Sequence, residues 1–97
     1  MKTISLNKQA NGDFVSVPFA TSKTAMRLRV EYKEAKRGNK VILESNIDEN
    51  GDDWVVVAVL AGYGNDDRII EGTIGGIIPG QKLRVITAGP SRVMYIE

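Results

Sequence analysis

From Ala25 to Lys33 the chain alternates without interruption, with Met26, Leu28, Val30 and Tyr32 on one parity and Arg27, Arg29, Glu31 and Lys33 on the other. A period of two is the repeat of a pleated strand with one face in a core and one in water. As a helix, the same residues would mix charge with apolar groups on every face. This segment therefore sets the fold class, and the rest of the chain parses around it.

After it, Glu34 to Asn39 is a charged, Gly-containing turn and Lys40 to Ile47 resumes extended character, which predicts a first hairpin. Asn50-Gly51 is a strong turn signal, because both residues tolerate positive φ, and predicts a second hairpin directly after the first. The outgoing strand, Asp53 to Leu60, is expected to place Trp54, Val56, Ala58 and Leu60 on one face and Val55, Val57 and Val59 on the other. Both faces are apolar, so the strand is expected to be covered on both sides, either by its own fold or by another chain.

Turn formers at Gly62 to Asp67 break this run, and Arg68 to Ile74 is a further β-branched stretch. Gly75-Gly76 and Pro79-Gly80 punctuate again, the latter suited to a type II turn. Gln81 to Ala88 sets Leu83, Val85 and Thr87 against Lys82, Arg84 and Ile86, and Ser91 to Glu97 closes the chain. At the front, Thr3 to Asn7 and Phe14 to Phe19 flank Asn11-Gly12, with Pro18 placed for a strand end. Ser22 to Met26 has room for one helical turn. Roughly eight short strands set apart by Gly, Pro and Asn clusters predict an all-β fold, a β-sandwich or a jelly-roll-like or partly open barrel. At 97 residues the expectation is one domain, 1–97, whose modest core gains from partner subunits.

The side-chain inventory narrows the chemistry. With no His and no Cys, the usual general base, thiolate ligands and the nucleophile-His devices are missing. The acids crowd one turn, and no apolar pocket is evident to raise a carboxyl pKa for glycoside chemistry. The expectation is a protein that is not an enzyme and uses no cofactor. Asp48, Asn50, Asp52 and Asp53 are hard oxygen ligands around Gly51, yet their spacing departs from a calcium loop and a solvated hairpin tip explains them better. Gly62-x-Gly64 and Gly75-Gly76 open no helix with phosphate-binding spacing and read as turns. Lys33, Lys36, Arg37 and Lys40, with Glu34 among them, read as a solvated loop. A net charge of +1 argues against nucleic acid. Met1 to Leu6 lacks the apolar segment of a signal peptide, which suggests synthesis in a cytoplasm. The longest apolar run, Trp54 to Ala61, is too short to cross a bilayer as a helix.

Among the aromatics, Trp54 reads as core, and Tyr63, between two glycines, as the one that reaches solvent. The residues expected at a protein interface are Val55, Val57, Val59, Tyr63 and Arg68.

Val41-Ile42-Leu43-Glu44-Ser45-Asn46, an Asp/Gly/Asn turn from Ile47 to Asp53, and Trp54-Val55-Val56 together resemble a strand-turn-strand of small virion structural proteins of tailed bacteriophages. Leu83-Arg84-Val85 through Val93-Met94-Tyr95-Ile96, an Arg-bearing strand, a Gly turn and a terminal strand, is also similar to theirs. The resemblance covers about a third of the chain; the remainder agrees in strand number and length. It implies a β-sandwich that decorates or cements a capsid in many copies. The implied partners are the major capsid protein or another virion protein and further copies of the chain, without nucleic acid or membrane, at the capsid surface. A tail, fibre or glycan-binding module using Tyr63, and a phage-encoded inhibitor of a host protein, are the alternatives.

Overall fold

The computed structural model describes residues 1–36, 38–48, 52–61 and 68–97. These form nine strands: β1 (Lys2–Ile4), β2 (Leu6–Lys8), β3 (Phe14–Ser16), β4 (Met26–Tyr32), β5 (Lys40–Asn46), β6 (Trp54–Ala61), β7 (Ile69–Ile74), β8 (Leu83–Thr87) and β9 (Ser91–Ile96). They pair antiparallel in two sheets, one ordered β1-β9-β4-β7 and the other β2-β3-β8-β5-β6. No helix occurs among the described residues, and Ser22 to Met26 contains bends where a helical turn was expected.

The alternation that set the fold class becomes a burial pattern. Met26, Leu28, Val30 and Tyr32 of β4 all point into the core, as do Val41 and Leu43 of β5 and Leu83, Val85 and Thr87 of β8. With Val93 and Tyr95 from β9 and Ile70 and Ile74 from β7, the apolar ones among them form one cluster between the sheets. Each such side chain stabilises the fold by about 1.5–3 kcal/mol before conformational entropy is subtracted. Tyr32 also joins the layers: its hydroxyl donates to the Lys40 carbonyl and accepts from the Ala88 amide at 3.3 Å. Burial raises its pKa above the ordinary tyrosine value.

Three expectations need correction. The stretch Thr3 to Asn7 is two strands: the chain leaves the four-stranded sheet at Ser5 and enters the five-stranded one, so β1 lies beside β9 and β2 beside β3. β4 and β5 are not a hairpin, because β4 is flanked by β7 and β9 and has no free side to offer β5. Their connection is an arch between layers, with Gly38 at φ 84°. The third concerns β6, whose register with β5 shifts between Leu43 and Glu44: Leu43 faces Ala58 while Glu44 faces Val56, leaving Val57 as an inserted bulge residue. Strict alternation along β6 therefore fails at its middle.

Other local signals hold. β5 and β6 form the second predicted hairpin, with the Ile47 amide donating to Asp53 O at 3.1 Å. Gly80 has φ 82° and the Gln81 amide donates to Ile78 O at 3.2 Å, the geometry expected of a Pro-Gly type II turn.

Candidate interaction surface

The two sheets turn very different outer faces to solvent. On the four-stranded sheet, the register lines up Thr3, Met94, Arg29 and Glu71, with Arg27 and Glu31 in the neighbouring rows. Arg27 pairs with Glu71, Arg29 Nη1 lies 3.0 Å from Glu71, and Arg29 Nη2 lies 3.1 Å from Glu31. The hydrogen bond from Arg27, reinforced by Arg29, holds the Glu71 carboxyl below its ordinary pKa. Charge dominates this face, which also carries Arg92 opposite Glu31 and the apolar Met94, Ile69 and Ile96.

The five-stranded sheet does the opposite. Its register aligns Asn7, Val15, Ile86, Ile42 and Val59 in one row across all five strands. Four of those five side chains are apolar and all face outward, away from the cluster between the sheets. The next row carries Arg84, Glu44 and Val56. Arg84 Nε donates to Glu44 at 2.7 Å, and its guanidinium carbon lies 4.2 Å from the centre of the Trp54 ring. The ion pair inside this face is thus covered by an aromatic ring, and Lys40 lies at its margin beside Ala61. Val56 and Val59 are 52% and 56% exposed.

The sheet order puts β6 at the free edge of this sheet. Among the described residues no strand pairs with its outer side. The expectation that the β6 valines share one face is corrected by the bulge: Val59 stands beside outward-facing Ile42, whereas Val55 stands beside inward-facing Ser45. Val55 and Val57 line a recess of about 230 Å³ with Ile77, Ile78, Leu83 and Ser45. The Ser45 hydroxyl is buried there without a hydrogen-bond partner. Beside the recess lies a wider cleft of about 680 Å³ lined by residues from Asn46 to Ile47 and Ile78 to Lys82, in which Lys82 is the one ionisable side chain among the described residues.

Of the other expected interface residues, Arg68 lies just before β7, beside the opposite sheet, where its carbonyl accepts from the Tyr32 amide at 2.7 Å and its Nε donates to Tyr32 O at 3.3 Å. Tyr63 lies outside the described residues, as do Arg37, Gly62 to Asp67 and the Glu49 to Gly51 part of the acidic turn. Among the described residues no three His, Cys, Asp or Glu side chains converge in a way that could hold a metal ion, and no helix is long and apolar enough to cross a membrane. Sequence reasoning missed Val15, Ile42 and Ile86. The outward positions of Ile42 and Ile86 were visible in the parity they share with Lys40 and Glu44 and with Lys82 and Arg84. Val15, however, shares a parity with Val17 while its strand buries Ser16, and the alignment of all three depends on a strand order that no local signal carries.

Comparison with known proteins gives no matching family model, no matching curated protein and no matching solved structure.

Proposed function

We propose that this chain is a structural protein that works by seating the outer face of its five-stranded sheet on another protein, and that the partner is the lattice of a phage capsid. One observation carries the reading: the row Val15, Ile86, Ile42 and Val59 faces outward on one sheet, while the matching positions of the other sheet carry an ion-paired network. Solvent alone favours the charged arrangement on both. A flat apolar area with its interior charge already neutralised fits a partner's apolar surface, where burial drives association and an unpaired charge opposes it. The capsid as partner follows from the resemblance of the β5–β6 and β8–β9 segments to virion proteins. On a repeating lattice, many modest contacts of this kind add up to a large gain in stability.

The glycan-binding alternative draws less support. Trp54, the residue best suited to stack on a sugar, already has a guanidinium over one ring face.

The test is cosedimentation of the purified chain with capsids that lack it. Wild type is expected to bind and to raise the capsid's melting temperature. Val15→Lys and Ile86→Lys, each checked for native circular dichroism, are expected to lose binding. Wild type that stays in the supernatant removes the reading.

A further inference from the structure

We infer that the free edge of β6 pairs antiparallel with β6 of a second copy of this chain, about a two-fold axis between Val57 and Ala58. The four strands that end the sheets are not alike. β1 and β2 are three residues long and carry Lys2 and Lys8, and β7 carries Glu71 beside Gly72. Short length and charge are the usual guards of an open edge. β6 has neither: eight residues from Trp54 to Ala61, none of them charged.

The bulge makes this strand complementary to itself. The register with β5 places Trp54, Val56, Val59 and Ala61 outward, opposite Asn46, Glu44, Ile42 and Lys40. Val55, Ala58 and Leu60 lie on the core-facing side, opposite Ser45, Leu43 and Val41. Val57 lines the recess on that side with Val55, the two valines being 50% and 42% exposed at its mouth. Read from either end, the order is out, in, out, in, in, out, in, out. When such a strand is turned about its midpoint and laid along itself, every side chain meets one on the same face. Trp54 falls opposite the partner's Ala61, Val55 opposite Leu60, Val56 opposite Val59, and Val57 opposite Ala58. An unbulged strand of eight would set inward against outward residues in this full-length register.

Charge agrees with this polarity. Asp52 and Asp53 precede β6, and Lys40 lies beside Ala61 at its far end. Antiparallel pairing carries Asp52 and Asp53 of each copy toward the end at which Lys40 of the other lies, at both ends of the ribbon. A parallel arrangement brings the aspartates together. The product is a ten-stranded sheet in which the two apolar outer faces become continuous. The pairing deepens the lattice-binding reading without depending on it, because it concerns the edge of the sheet and not the row through Val15 and Ile86.

Sedimentation velocity on the purified chain, with two double variants, tests both pairing and register. Wild type is expected to sediment as a dimer. Val56→Lys with Val59→Lys sets lysine opposite lysine at two places and is expected to give a folded monomer. Val56→Lys with Val59→Glu sets lysine opposite glutamate at the same two places and is expected to restore the dimer. A monomeric wild type, or a dimer that survives the double lysine variant, overturns the proposal. So does a double lysine variant that is monomeric while the lysine-glutamate variant, folded by circular dichroism, is monomeric too. A monomeric wild type that still binds capsids overturns the pairing alone, whereas a dimer that binds no capsid overturns the lattice reading alone.

Discussion

Leu60 of β6 lies directly over Gly72 of β7, so close that a Cβ added to Gly72 would come within 2.9 Å of Leu60 Cδ2. The two strands belong to different sheets, and this contact is where the edges of the layers meet. Gly72→Ala is expected to lower unfolding stability by about 1 kcal/mol through overpacking. In a double-mutant cycle with Leu60→Ala the penalty should largely vanish, because the space is then open; a coupling above about 0.5 kcal/mol is the expected readout of chemical denaturation. Additive effects would mean that Leu60 is not what crowds the site.

Two buried serines make opposite predictions. Ser16 Oγ accepts a 2.8 Å hydrogen bond from the Val85 amide, so Ser16→Ala leaves that amide unsatisfied and should cost about 1–3 kcal/mol. The Ser45 hydroxyl has no partner, and removing it should be neutral or stabilising by up to about 1 kcal/mol. Parallel thermal unfolding of the two variants checks both signs.

Acid stability depends in part on Glu71. Its pKa is lowered in the folded chain, chiefly by the hydrogen bond from Arg27. The folded state therefore holds this proton less tightly than the unfolded state does. The linked stabilisation is complete above the ordinary carboxylate range and is lost as pH falls through the lowered value. Glu71→Gln is expected to flatten the decline of unfolding free energy on the acid side while lowering the plateau at neutral pH. An unchanged acid slope would assign that decline to other carboxylates, such as Glu97, which is lowered by the Ser22 hydroxyl.

Trp54 is the only tryptophan, so its fluorescence reports on one place. Arg84→Ala removes the cation from its ring and the partner from Glu44, and is expected to shift the emission to the red and cost about 1 kcal/mol. Arg84→Lys should not restore the original spectrum, because an ammonium lacks the planar guanidinium that stacks on the ring while holding a carboxylate.

Much of the fold was legible in the residues. The buried sides of β4, β5 and β8 follow directly from which parity carries Met, Leu and Val, and Pro79-Gly80 turns as Pro-Gly turns do. What escaped reading was nonlocal. The charged segment between Tyr32 and Lys40 looks the same whether it reverses a chain within one sheet or lifts it to the other; the outcome was decided by β7 and β9, which occupy both sides of β4. Ser5, where one apparent strand becomes two, is a lone serine with no Gly, Pro or Asn beside it, too weak a turn signal to mark the crossing. The bulge at Val57 lies inside a run so uniformly apolar that a one-residue slip leaves no trace in composition. The candidate surface was half legible for the same reason: β6 stood out by its lack of charge, but Val15, Ile86 and Ile42 become one row only once β3, β8 and β5 are side by side.

The crossing at Ser5 gives the molecule a spine. β1 and β2 form the outermost strands of their sheets on one flank, joined by a single residue, so the layers cannot be drawn apart there without stripping a strand from its neighbour. On the opposite flank Leu60 of β6 packs on Gly72 of β7, and the layers are held there by contact between the two edge strands. Separation of the layers is therefore expected to begin on that flank, as a book opens away from its binding, and faster amide exchange in β6 and β7 than in β1 and β9 is the measurement that checks it.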